Sequence, residues 1–370
     1  MEKVERQRST GRIIFRASYM SETLVLTTLS DDNVLDGLRE QGYCVVLLSV
    51  DEALQNSLDA LDEGLRFYPP TSLNEAKDTW LPEAAEFAGR LAVQAVGSGE
   101  VLNWDVVPER FSHVFVVSER ILPVDLIPCR GSVLGTECII AHRAPESKLH
   151  PTSVLGSEEL PLRRIAHVST YHPGSTSLHE MDVVSATLSI DNNLAIEHYF
   201  YPTKEVAMGL FRRSDLDILH FECHGTGTSL QVDNPYGDPV DVRELCASNG
   251  PSVYFFLGCS AGESIDSVAS TFVKKGARGA LGAYCGFLSG GGSGEVSISA
   301  YYDALYQGLI GGETLGASVK AGRRAASPGR IYYCTWLLFG NPNVHFSTQR
   351  FGGTAPNPRF HRTAGFATHR

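Results

Sequence analysis

Short apolar runs alternate with stretches of helical spacing along most of the chain, and this alternation predicts an α/β protein. Residues 23–28 and 43–50 read as strands. Residues 31–41 between them read as a helix, capped by Asp31 or Asp32 and closed by Gly42. A helix over 54–65 ends at Tyr68-Pro69-Pro70. An Ala- and Glu-rich amphipathic helix covers 75–96, and strands are predicted at 113–117 and 136–141. Pro145, Pro151 and Pro161, with several serines, mark 144–161 as a linker. The second half predicts strands at 164–169, 196–199, 216–221, 253–257, 279–284 and 332–339. Helices are predicted at 178–190, 203–212, 239–247, 266–276, 296–309 and 313–326. Strands joined through helices imply a mostly parallel sheet.

Two of these strands end on reactive side chains. The run 216–221 leads into His224-Gly225, and 253–257 leads into Cys259 followed by Ser260, Ala261 and Gly262. Ligands gather at the carboxyl ends of strands in open parallel sheets, so His224 and Cys259 meet there if their strands are neighbours. A thiolate serves as nucleophile and an imidazole moves protons. The glycine after His224 allows close approach of a substrate carbonyl, and the N–H groups of Gly225 and Cys259 would hold an oxyanion. The competing reading is a buried, inert structural cysteine.

The stretches Cys223-His224-Gly225 and Phe255-Phe256-Leu257-Gly258-Cys259-Ser260-Ala261-Gly262 resemble the signature of caspase-like cysteine proteases. More narrowly, they resemble the CHAT branch, relatives of separase and the caspases. Further matches run from Val268 through Lys275-Gly276-Ala277-Arg278-Gly279-Ala280 to Gly282, at Tyr301–Gly308 and at Trp336–Pro342. Upstream, Leu122–Pro128 and Ala141–Pro145 also match, so the resemblance spans roughly 76 to 344. The family often carries Ala-Cys-x-Thr/Ser-Gly at its nucleophile, where this chain has Gly258-Cys259-Ser260-Ala261-Gly262.

The resemblance implies a three-layer α/β caspase-like fold with a mostly parallel sheet. It also implies a degenerate N-terminal caspase-like half packed on an active C-terminal half. Four regions follow: a flexible arm at 1–20, the N-terminal α/β region at 21–155, the CHAT catalytic domain at 156–345 and a disordered basic tail at 346–370. The implied activity is a cysteine endopeptidase using His224 and Cys259 on a partner protein, in bacterial defence or signalling, with no cofactor.

Composition narrows the setting. The 370 residues are 43% hydrophobic and 20% charged, with net charge −11, which argues against a nucleic-acid partner. No run of about 18 apolar residues occurs and no secretory leader is visible, so neither a membrane partner nor export is expected and a cytoplasmic setting is. Eight cysteines are scattered without a C-x-x-C pair, so no metal or redox cofactor is expected.

The substrate pocket is expected to involve Asp233, Asp238, Glu263, Tyr284 and Cys285. The wall 280–286 carries no basic residue, and Arg278 is expected at the opposite strand end from Cys259. The polar loop 226–236 and the Gly-rich run 288–295 read as mobile, so an activating partner is also expected.

Alternatives remain open. Gly258-Cys259-Ser260-Ala261-Gly262 also fits G-x-S-x-G, which would make Ser260 a hydrolase nucleophile with Asp303 and His345 as partners. A catalytically dead scaffold is another reading. Strand alternation places His220, Glu222 and His224 on one face and Cys223 on the other, a conceivable metal set, whereas His167 and His198 show no ligand spacing.

Overall fold

A computed structural model describes residues 23–67, 80–97, 102–144, 155–170, 194–233, 237–246, 249–258, 260–285, 294–326, 334–347 and 359–362. The principal strands are β1 (Thr23–Thr27), β2 (Cys44–Leu47), β3 (His113–Val117), β4 (Ile139–Arg143), β5 (Arg164–Ser169) and β6 (Ala195–Phe200). They continue with β7 (Ile218–Glu222), β8 (Val253–Leu257), β9 (Gly279–Ala283), β10 (Trp336–Gly340) and β11 (Arg359–Arg362). Among the described residues these form one eleven-stranded sheet in the order β11-β6-β5-β7-β8-β9-β10-β4-β3-β1-β2. Every neighbouring pair is parallel except β9 with β10.

The strands at the centre are apolar along their whole length because both faces are covered. Every residue of β7, β8, β9 and β10 is buried. The covering helices are α1 (Asp32–Glu40), α2 (Glu52–Phe67), α3 (Leu81–Gly97), α4 (Lys204–Leu210), α5 (Val268–Lys274), α6 (Gly294–Ile310) and α7 (Leu315–Ala325). Leu61, Phe87, Leu210 and Phe272 of α2 to α5 pack with Phe221 and Phe256 on one face. Leu35 of α1, Tyr302 and Leu305 of α6 and Val319 of α7 pack with Phe255, Leu281 and Trp336 on the other. The fold is therefore a three-layer α/β arrangement. Local chemistry sets the helix starts: Asp31 accepts from the Asn33 N–H at 3.0 Å, and Thr314 accepts from the Ala317 N–H at 3.2 Å.

β10 joins the two halves of the sheet. It runs antiparallel to β9 and parallel to β4, with Phe339 opposite His142. The N-terminal strands consequently run opposite to β5–β9, and their carboxyl ends lie at the other edge from His224. The join is reinforced by a buried charged cluster. Arg323 Nη2 pairs with Asp125 Oδ1 at 2.8 Å, and His142 Nε2 meets Asp125 Oδ2 at 2.6 Å. Arg323 also donates to the carbonyls of Trp336 and Gly135, at 2.6 and 3.3 Å. Burial alone would raise the Asp125 pKa, but the Arg323 charge, then His142, outweigh it and hold the carboxyl below its ordinary value.

Several expectations shift. Residues 136–141 divide into one helical turn, Leu134–Glu137, and then β4. The crossover helix at 239–247 shortens to one turn, Val242–Leu245, because Val240–Asp241 is drawn into a small sheet. The expected linker contains a strand, Glu158–Pro161, paired with Val344–Ser347. Within the tail expected to be disordered, Arg359–Arg362 forms the edge strand β11 on β6. The arm 1–20 and the helix 178–190 lie outside the described residues.

Candidate active site

β7 and β8 are adjacent and parallel, with Glu222 opposite Leu257. Each candidate residue, His224 and Cys259, stands two positions past one member of that pair. The Cys223 N–H donates to the Leu257 carbonyl at 3.1 Å, which carries the pairing one residue beyond the strand. His224 follows and is exposed at the carboxyl edge. Cys259 itself lies outside the described residues.

The segment after His224 is built, not loose. Gly225–Thr226, Ser229–Leu230 and Val240–Asp241 form a small antiparallel sheet. The Gln231 N–H donates to the His224 carbonyl at 2.9 Å, so Gly225 faces Leu230 as a non-hydrogen-bonded pair. In such a pair the amide points away from the partner strand, which keeps the Gly225 N–H out of the ladder. The Val268 N–H anchors the turn through the Gly227 carbonyl at 2.9 Å. Within the polar stretch expected to be a loop over 226–236, Thr226 and Ser229–Leu230 are therefore strand-paired. Residues 234–236 and 286–293, which hold most of the Gly-rich run, are outside the described residues.

The turn after Cys259 is pressed onto β9. The Ser260 N–H donates to the Cys285 carbonyl at 3.2 Å, and the Gly262 N–H donates to the Ala283 carbonyl at 2.7 Å. Ser260 sits at φ 58°, the left-handed region that non-glycine residues seldom occupy. A Cβ on Gly282 would come within 2.8 Å of the Ala261 carbonyl oxygen, and one on Gly262 would strike the Gly282 carbonyl. Glycine at both positions lets the turn and strand lie this close.

The expected pocket residues are placed unevenly. Tyr284 and Cys285 are buried beside this turn. The Tyr284 hydroxyl donates to Asp62 on α2, which brings a carboxylate of the N-terminal half to the pocket wall. No local signal in the sequence joins positions so far apart. Glu263 packs its side chain against Gly227, so it borders the His224 segment. Asp233 is half-buried after Leu230, and Asp238 is exposed with no described contact to the turn. Arg278 lies at the amino end of β9, as expected, with its N–H on the Ser252 carbonyl at 2.8 Å and its side chain 2.7 Å from Glu158.

The serine-triad reading loses its histidine. Gly340 pairs with Gly279 at the amino end of β9, and His345 follows it, 3.9 Å from Glu159. Ser260 lies past the other end of that strand, so the length of β9, about 13 Å, separates the two regions. Asp303 accepts from Gln307 at 2.9 Å on α6.

A comparison with protein-family profiles finds no match. A comparison with curated proteins also finds none. Among solved structures, the chain is similar to the Arg-specific cysteine proteinase gingipain R. The identity is 13% and the TM-score 0.53, over 89% of this chain and 79% of that one. It is similar as well to the complex of the Porphyromonas gingivalis RgpB pro- and mature domains, at 12% identity and TM-score 0.51, over 87% of this chain and 79% of that chain. At these identities the likeness establishes a shared fold, that of a caspase-like cysteine proteinase. Among the described residues no helix is long and apolar enough to cross a membrane.

Proposed function

We propose that this chain is a cysteine endopeptidase of the CHAT type that cuts a specific partner protein. The observation that carries the reading is the β7–β8 register, which supports His224 and Cys259 meeting at one sheet edge. The Cys259 thiolate attacks the scissile carbonyl carbon. The Gly225 and Cys259 N–H groups hold the oxyanion, and His224 protonates the leaving amine. Water, activated by His224, then hydrolyses the thioester. A cytoplasmic setting keeps the thiol reduced, and a role in bacterial defence or signalling follows the resemblance to CHAT proteases.

The residue before the cut is small, apolar or basic. No arginine or lysine occurs in 280–286, so a buried acidic side chain would lack a cationic partner. Asp62 and Glu263 border the region and suit a basic residue, the preference named for the Arg-specific neighbour.

The test is cleavage mapping in a lysate of the source cells by labelling new amino termini, with wild type, Cys259→Ala and Ser260→Ala. Loss in Cys259→Ala alone supports the reading. Undiminished cleavage by Cys259→Ala ends it, and loss in Ser260→Ala alone favours a serine nucleophile.

A further inference from the structure

Three histidines form a row across neighbouring strands. Parallel register sets His198 of β6 beside His167 of β5, and His167 beside His220 of β7. All three are fully buried, and Glu222, two residues past His220 on the same face, is 1% exposed. Nε2 of His167 lies 2.9 Å from Glu222 Oε1, and Nε2 of His220 lies 3.8 Å from the same oxygen. The His167 and His220 rings are 4.4 Å apart. Helix α6 roofs the cluster: the Tyr306 hydroxyl meets His220 Nδ1 at 2.8 Å, and the Tyr302 ring lies 4.8 Å from His220.

This much polarity inside an apolar layer is costly unless something satisfies it. His167 Nδ1 and His220 Nε2 have no hydrogen-bond partner among the described residues.

We propose that His167, His220 and Glu222 form a structural zinc site that clamps β5 to β7 beneath α6. One nitrogen or oxygen from each residue lies within 4.8 Å of the other two. Zinc bonds of ~2.0–2.2 Å set tetrahedral ligand atoms roughly 3.4 Å apart, so small side-chain shifts close the set. Two imidazoles and a carboxylate are three of the four donors that zinc takes, and a bound water would complete the tetrahedron. The Tyr306 contact to His220 Nδ1 supplies the outer hydrogen bond that orients a ligating imidazole through its Nε2. The site is closed to substrate, so its role is to stiffen the strand end from which His224 projects. It stands whether or not Cys259 is a nucleophile. It also departs from the expectation of no metal, because its ligands recur across strands and not along one.

The test begins with the untagged chain purified from zinc-supplemented culture and analysed for metal by elemental mass spectrometry. One zinc per chain is expected, lost in His167→Asn, His220→Asn and Glu222→Gln and kept in Cys259→Ala. Replacing zinc with cobalt(II) in the wild-type chain gives a readout independent of variant folding. Ligand-field bands of a low-coordinate nitrogen–oxygen site are expected, with no thiolate charge-transfer band. The proposal is overturned by a chain that neither retains nor takes up zinc, by equal zinc in all variants, or by a thiolate band, which would move the metal to the cysteines.

Discussion

Arg323→Met removes the cation that holds Asp125 at the join between the two halves of the sheet. Arg323 and Asp125 are 1% and 0% exposed and 2.8 Å apart, so neither is screened by water. Methionine fills much of the volume but leaves a buried carboxylate with His142 as its remaining side-chain partner. Breaking a buried pair from one side costs about 3–5 kcal/mol, whereas removing both charges costs far less. Arg323→Met should therefore destabilise by about 3–5 kcal/mol, and adding Asp125→Asn should recover part of that loss. The pH dependence has a definite sign. The folded Asp125 pKa lies below its unfolded value, so its contribution is full above an unfolded pKa of about 4 and is lost as pH falls through the folded value. The assay is urea unfolding of wild type, both single variants and the double variant, by fluorescence and circular dichroism, at pH 7 and at acid pH. A cost below about 1 kcal/mol for Arg323→Met, or a double variant as unstable as the sum of the singles, would refute the reasoning.

Other outcomes follow from the site. Cys259→Ala and His224→Ala should each abolish cleavage with unchanged unfolding midpoints, and the double variant should be no worse than either single, because nucleophile and base act as a unit. Gly282→Ala should lower cleavage and cost about 1–3 kcal/mol, since the new methyl meets the Ala261 backbone and not a movable side chain. Wild-type activity and stability in Gly282→Ala would show that the turn is not held against β9. A peptide library should show small, apolar or basic residues before the cut. Dominance of Asp there would point to an arginine reaching the pocket from outside 280–286.

Periodicity carried much of the fold. The strands at 113–117, 164–169 and 253–257 match their expected bounds because each is a short run between turn residues, buried at every position after its first. What periodicity lacked was pairing. Nothing local in Trp336–Gly340 tells that it runs antiparallel to β9 and parallel to β4, yet that choice joins the halves. The same gap hid the Asp62–Tyr284 contact and the His198-His167-His220 row, which exist through helix packing and strand register. His345 looked available to Ser260 because sequence spacing does not tell which edge of the sheet a residue occupies. The neighbouring strand ends behind His224 and Cys259 were legible because both apolar runs stop at small residues and a reactive side chain.

The most direct measurement is the order in which the cysteines react with iodoacetamide at neutral pH, read by peptide mapping of the native chain. Burial pushes Cys129 up to about 11 and Cys138, Cys246 and Cys334 up to about 12, so these thiols should react slowly. A Cys259 paired with His224 should be alkylated first, and His224→Ala should slow it. Alkylation of Cys259 no faster than these four, together with a fluorophosphonate adduct on Ser260, would contradict the cysteine-peptidase account.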